Sequence, residues 1–225
     1  MKERKVAWAM LVLCPLSMAL MFMYVTLGYA PGLTAGAPLG VAPHPPEYLQ
    51  ATCILWGIMM TVIPILRLLR LVALPHWFTA VLYANMYLYV ISLCLGMYLN
   101  ISWWGDATHV VSSAVIASIV LMALCLMQAH SPPHANLGSR GGIVIMLIPI
   151  AIAFGLIWEI MEGFTDIISG MDYMSYGAMY TLYDILADVI GALAVAVLAW
   201  IILGKHDANY VASEIRIGRR HIDAV

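Results

Sequence analysis

Charge is what this chain has least of: only 10% of its 225 residues are Asp, Glu, Lys or Arg, against roughly 25% in an average soluble domain. Ten Lys and Arg against twelve Asp and Glu leave a formal net charge of −2. That balance excludes the basic face with which proteins grip nucleic acid. Cysteine is sparse too. Cys14, Cys53, Cys94 and Cys125 fall in separate hydrophobic runs without paired spacing, so neither a disulfide framework nor a zinc knuckle is indicated. Internal repeats and coiled-coil heptads are missing. A cleavable leader is not expected either: the first apolar run outlasts a signal-peptide core, and Pro31 follows the small-residue stretch Gly28-Tyr29-Ala30.

What is abundant is apolar surface. Hydrophobic residues make up 64% of the chain and come in long runs rather than amphipathic stripes, more than a soluble core of this length can hide. Six segments reach the ~20 apolar residues a spanning helix needs: Val6 to Ala30, Tyr48 to Leu69, His76 to Asn100, Thr108 to Ala129, Gly142 to Ile168 and Thr181 to Leu203. The expected fold is an all-α bundle of six transmembrane helices forming a single polytopic domain over residues 1–225. Pro15 and Pro64 lie inside spans, where a neighbouring helix can take the carbonyl that each proline frees.

Orientation follows from the basic residues. Lys2, Arg4 and Lys5 precede the first span, Arg67 and Arg70 end the second, Arg140 lies between the fourth and fifth, and Lys205, Arg216, Arg219 and Arg220 follow the sixth. Six crossings put all of them on one side, so both termini are expected in the cytoplasm and the chain in the cell membrane, in contact with lipid. Trp8, Trp77 and Trp200 then mark the inner interface; Trp103, Trp104, Tyr173, Tyr176 and Tyr180 mark the outer one. The Pro- and Gly-rich segment 31–47 becomes an extracytoplasmic loop. Residues 204–225 become a cytoplasmic tail with room for a short surface helix.

The acids distribute the other way. Glu3, Asp207, Glu214 and Asp223 are cytoplasmic, whereas Glu47, Asp106, Glu159, Glu162, Asp166, Asp172, Asp184 and Asp188 lie outside or in the outer half of the membrane, with no Lys or Arg among them. From Ile143 to Trp158 the fifth span carries no ionisable residue, about 24 Å of helix at 1.5 Å per residue, so Glu159 sits just beneath the outer boundary. Similar counting brings Asp188 and His109 to that level. Glu159, Glu162 and Asp166 follow i, i+3, i+7; Asp184 and Asp188 follow i, i+4; Asp106 and His109 follow i, i+3. Each set shares one helix face. Ionisable groups at membrane depth turn toward the bundle interior or water, so three acidic faces are expected to meet in one cavity. Without a basic partner, such acids are either protonated or neutralised by a cation. Oxygen ligands with one imidazole suit Mg²⁺, Mn²⁺, Ca²⁺, Zn²⁺ or Fe²⁺. The expected ligands are His109, Glu159, Glu162 and Asp188, with Asp106 and Asp166 as further candidates and Asp184 as the orienting or proton-accepting carboxylate. The plainer alternatives are solvated loop acids for Asp106, Asp172 and Glu47, a helix cap for Asp166, and interhelical hydrogen bonds for the rest.

The stretch Trp158-Glu159-x-x-Glu162, then Asp184-x-x-x-Asp188-x-x-Gly191, with Asp106 and His109 heading the preceding span, resembles the VanZ-like and YjdF-like inner-membrane families. The match runs from about Asp106 to Leu203. In those families the Asp/His pair is usually separated by three residues rather than two, and an Arg often precedes the last span. The resemblance implies a membrane protein with a polar site and a link to envelope chemistry. It implies no particular reaction.

Three functions fit these residues. One is a metal-dependent membrane enzyme acting on a lipid or lipid-linked envelope substrate at the outer leaflet. The second is a cation or proton transporter, against which stand the uncharged inner halves of the last three spans. The third is a non-catalytic membrane subunit, with Ala187, Gly191 and Ala194 as a small-residue strip for a partner helix or a second copy of the chain.

Overall fold

In a bilayer every backbone N–H and C=O must find its partner within the segment, so long apolar runs fold as helices. The computed structural model describes residues 2–34, 43–132, 137–170, 174 and 177–217. Six helices are long and apolar enough to cross a membrane: α1 (Lys2–Thr26), α2 (Pro46–Leu68), α3 (His76–Cys94), α5 (Trp104–His130), α6 (Arg140–Ser169) and α7 (Ala178–Lys205). Two short helices, α4 (Met97–Asn100) and α8 (Ala208–Ser213), a 3-10 turn at Pro31–Leu33 and two strands of two residues complete the described structure. The fold is all-α with six membrane-spanning helices, as the hydrophobic runs predict. The third span ends earlier than Asn100, because Gly96 takes a left-handed φ of 68° and separates α3 from α4. Residues 35–42, which make up half of the 31–47 loop, lie outside the described residues. So do His134, Asp172, Tyr173, Tyr176, Arg219, Arg220, His221 and Asp223.

The chain divides into two compact units, residues 1–102 with 215–225, and residues 103–214. In the first, α1 packs on α2 around Met18, Cys53 and Met60, and α3 adds Tyr83, Met86 and Val90. Gly57 permits the α1–α2 approach, since a Cβ there would lie 3.2 Å from Met18 Cβ. Pro64 interrupts the α2 hydrogen-bond ladder, and the Tyr83 hydroxyl donates to Met60 O, the carbonyl thereby freed. At the end of α2, buried Arg67 donates to Leu74 O at 2.6 Å and contacts His76 Nδ1 at 3.3 Å. A residue that sequence alone marks only as a topology signal thus ties α2 to the start of α3. The tail returns here: Arg216–Ile217 pairs antiparallel with Val72–Ala73.

In the second unit α5, α6 and α7 enclose a core of Leu121, Leu124, Leu147, Ala151, Val195 and Ala199 among others. A third internal proline, Pro149, lies in α6. Asp207 caps α8 by accepting from Tyr210 N at 2.9 Å, a hydrogen bond that holds its carboxyl below the ordinary aspartate value. All four cysteines are buried free thiols. Large apolar side chains face outward, with Ile145 70% and Ile167 77% exposed, as expected where lipid is the solvent.

Candidate cation site

The site is built entirely within the second unit, where the start of α5, the end of α6 and the start of α7 come together. Helix α7 reaches α5 through Gly191: a Cβ at that position would lie 2.8 Å from Ser113 Cβ and 3.0 Å from Ala114 N. Ala187, one turn earlier, is buried, whereas Ala194 is exposed. Helix α6 reaches α7 through Gly155, whose missing side chain leaves room for the Asp188 carboxylate. Glycine is required at both positions by close approach rather than by backbone conformation.

This packing gathers His109, Glu159, Glu162 and Asp184, each offering one ligand atom, with all four atoms within 4.8 Å of one another. His109 Nε2 is 3.8 Å from Asp184 Oδ1; its Nδ1 is 3.7 Å from Glu159 Oε1 and 3.4 Å from Asp188 Oδ1. Glu159 and Glu162 are 5% and 8% exposed; the His109 and Asp184 side chains, at 14% each, are the most accessible members. Neither oxygen of Glu159 accepts a hydrogen bond among the described residues. A buried carboxylate with two unmet acceptors is costly unless something else satisfies it.

The remaining acids are distributed around this group. Asp188, 4% exposed, accepts from Ser113 Oγ at 2.8 Å. Glu162 accepts from Trp158 Nε1 at 2.8 Å, an i, i+4 contact that aims its carboxylate. Asp106 follows Gly105, where an added Cβ would lie 3.9 Å from Asp184 Oδ1. Asp166 accepts from Met174 N at 3.1 and 3.3 Å and so closes the end of α6, where Gly170 turns the chain at φ 67°. The converging set therefore includes Asp184, to which sequence assigns the proton-accepting role, and leaves out Asp188, which it names as a ligand. Gly155 and Ser113, which decide where Asp188 points, are not singled out by sequence. A glycine inside an apolar run carries no signal of the side chain on the helix opposite.

One imidazole and three carboxylates within ligand distance, in a multi-pass membrane protein, form a donor set suited to a hard or borderline divalent ion. The chain belongs to the family described as predicted membrane protein DUF2238, whose profile matches residues 9–205. No curated protein and no solved structure matches the sequence.

Proposed function

We propose that this protein binds a divalent cation through His109, Glu159, Glu162 and Asp184, near the extracytoplasmic face of the cell membrane, as a metal-dependent enzyme acting on lipid or lipid-linked envelope substrates. The observation that carries the reading is Glu159, buried inside a cluster of ligand atoms with both oxygens unmet among the described residues. A bound ion would supply a Lewis acid that polarises the substrate and activates water. Asp184, one of the two more accessible members with His109, would hold the ion through one oxygen and leave the other to accept a proton from water. The resemblance to the VanZ-like and YjdF-like families supports an envelope role. The distribution of basic residues supports cytoplasmic termini, which active cytoplasmic reporters fused at either end would test.

The absence of charge deeper in the unit favours a site over a through-path. Val110 to Met127, Ile143 to Trp158 and Val189 to Leu203 contain no Asp, Glu, Lys, Arg or His, so a transported ion would meet no charged or imidazole partner along these helices beyond the cluster.

The direct test is thermal unfolding of the detergent-purified protein after chelation and after return of Mg²⁺, Mn²⁺, Ca²⁺, Zn²⁺ or Fe²⁺. Binding raises the midpoint with ion concentration. The reading expects at least one ion to do so in the wild type and not in Glu159→Gln. Equal midpoints for every ion, with and without chelator, would overturn it.

A further inference from the structure

We infer that Asp188 is a positioning residue, holding His109 at Nδ1 so that Nε2 is the nitrogen presented to the cation; this rests on the cation reading above. Asp188 Oδ1 is the oxygen that carries this contact, while Oδ2, buried without a hydrogen-bond partner among the described residues, is packed against the α6 backbone. Oδ1 accepts from Ser113 Oγ at 2.8 Å and stands 3.4 Å from His109 Nδ1. Oδ2 occupies the space that a side chain at position 155 would fill, so that a Cβ on Gly155 would overlap it and lie 2.8 Å from Asp188 Cγ. The backbone of α6 therefore walls this oxygen off. His109 Nε2 lies 3.8 Å from Asp184 Oδ1, and Asp184 is as accessible as His109 itself.

His109 and Ser113 are one helical turn apart on α5, so a single carboxylate from α7 reaches both. Gly191, three residues beyond Asp188, sets the distance by letting α7 close on Ser113. Ser113 Oγ–H donates to Asp188 Oδ1, and His109 Nδ1 stands 3.4 Å from the same oxygen, within reach of an Nδ1–H. A carboxylate on the distal nitrogen of a ligating histidine selects the tautomer, fixes the ring plane and raises the basicity of the ligating nitrogen. Glu159 also approaches Nδ1, at 3.7 Å, but its oxygens accept no hydrogen bond among the described residues. It remains a ligand.

The test uses Co²⁺ as probe on the full chain in detergent after chelation, reading both affinity and the visible absorption that reports ligand number and geometry. Asp188→Asn keeps an acceptor for Ser113 and His109 while losing the charge. It should bind Co²⁺ at wild-type stoichiometry with bands of similar intensity and about 10- to 100-fold weaker affinity. Ser113→Ala should weaken binding in the same direction by less, and Glu159→Gln should abolish binding or change the band intensity. The inference is overturned if Asp188→Asn matches Glu159→Gln, making Asp188 a ligand, or if both Asp188→Asn and Ser113→Ala match wild type. A wild-type protein that takes up neither Co²⁺ nor any of Mg²⁺, Mn²⁺, Ca²⁺, Zn²⁺ and Fe²⁺ overturns the cation reading itself, a result distinct from either.

Discussion

The Tyr83 hydroxyl donates to Met60 O, the carbonyl that Pro64 leaves without a helical partner four residues on. One side chain on α3 thus repairs a gap in α2, and does so in surroundings where water is scarce. Tyr83→Phe removes the donor and little else. It should lower stability by about 1 kcal/mol, the scale of interhelical hydrogen bonds in membranes, measured as a shift in the SDS-unfolding midpoint. A midpoint equal to wild type would mean that another group satisfies Met60 O.

Glycines at helix contacts should divide sharply by what faces them. A Cβ at Gly155 overlaps the Asp188 carboxylate and one at Gly191 crowds Ser113 and Ala114, whereas one at Gly163 meets nothing within 4 Å. Gly155→Ala and Gly191→Ala should each cost about 1–3 kcal/mol by overpacking. Gly163→Ala should leave stability unchanged or raise it by up to about 1 kcal/mol from helix propensity. The same unfolding assay ranks them.

Acid should weaken the first unit through His44, which lies just before α2 and is 2% exposed, its ring 5.3 Å from that of Tyr48. Burial pulls its pKa from 6.5 down to about 4. The unfolded chain therefore takes up a proton that the folded chain refuses. Stability falls as pH drops through 6.5 and the loss is complete below about 4. His44→Gln should flatten this part of the profile. Unfolding midpoints compared above pH 6.5 and near pH 4 check it, and an unchanged slope in the variant would remove His44 as the cause.

The six spans are legible in sequence because lipid imposes a length: about 20 apolar residues per crossing, whatever their order. The break at Gly96 is not legible, since Leu95, Met97 and Leu99 keep the run apolar through the turn. Arg67 shows a second limit. Its position marks a side of the membrane, but its burial against Leu74 and His76 depends on how α2 meets α3.

For the site, helical spacing puts Glu159 with Glu162, and Asp184 with Asp188, on shared faces, which names the residues to watch. How Asp188 sits against His109 and Ser113 is decided by interhelical approach at Gly155 and Gly191. Spacing along one helix carries no information about that distance.

Metal content of the protein purified from cells grown without added metal, compared between wild type and Glu159→Ala, tests the central claim most directly. The account predicts a stoichiometric divalent ion in the wild type and its loss in the variant, with both proteins folded by circular dichroism. Equal metal content in the two, or none in the wild type even after loading, would contradict it.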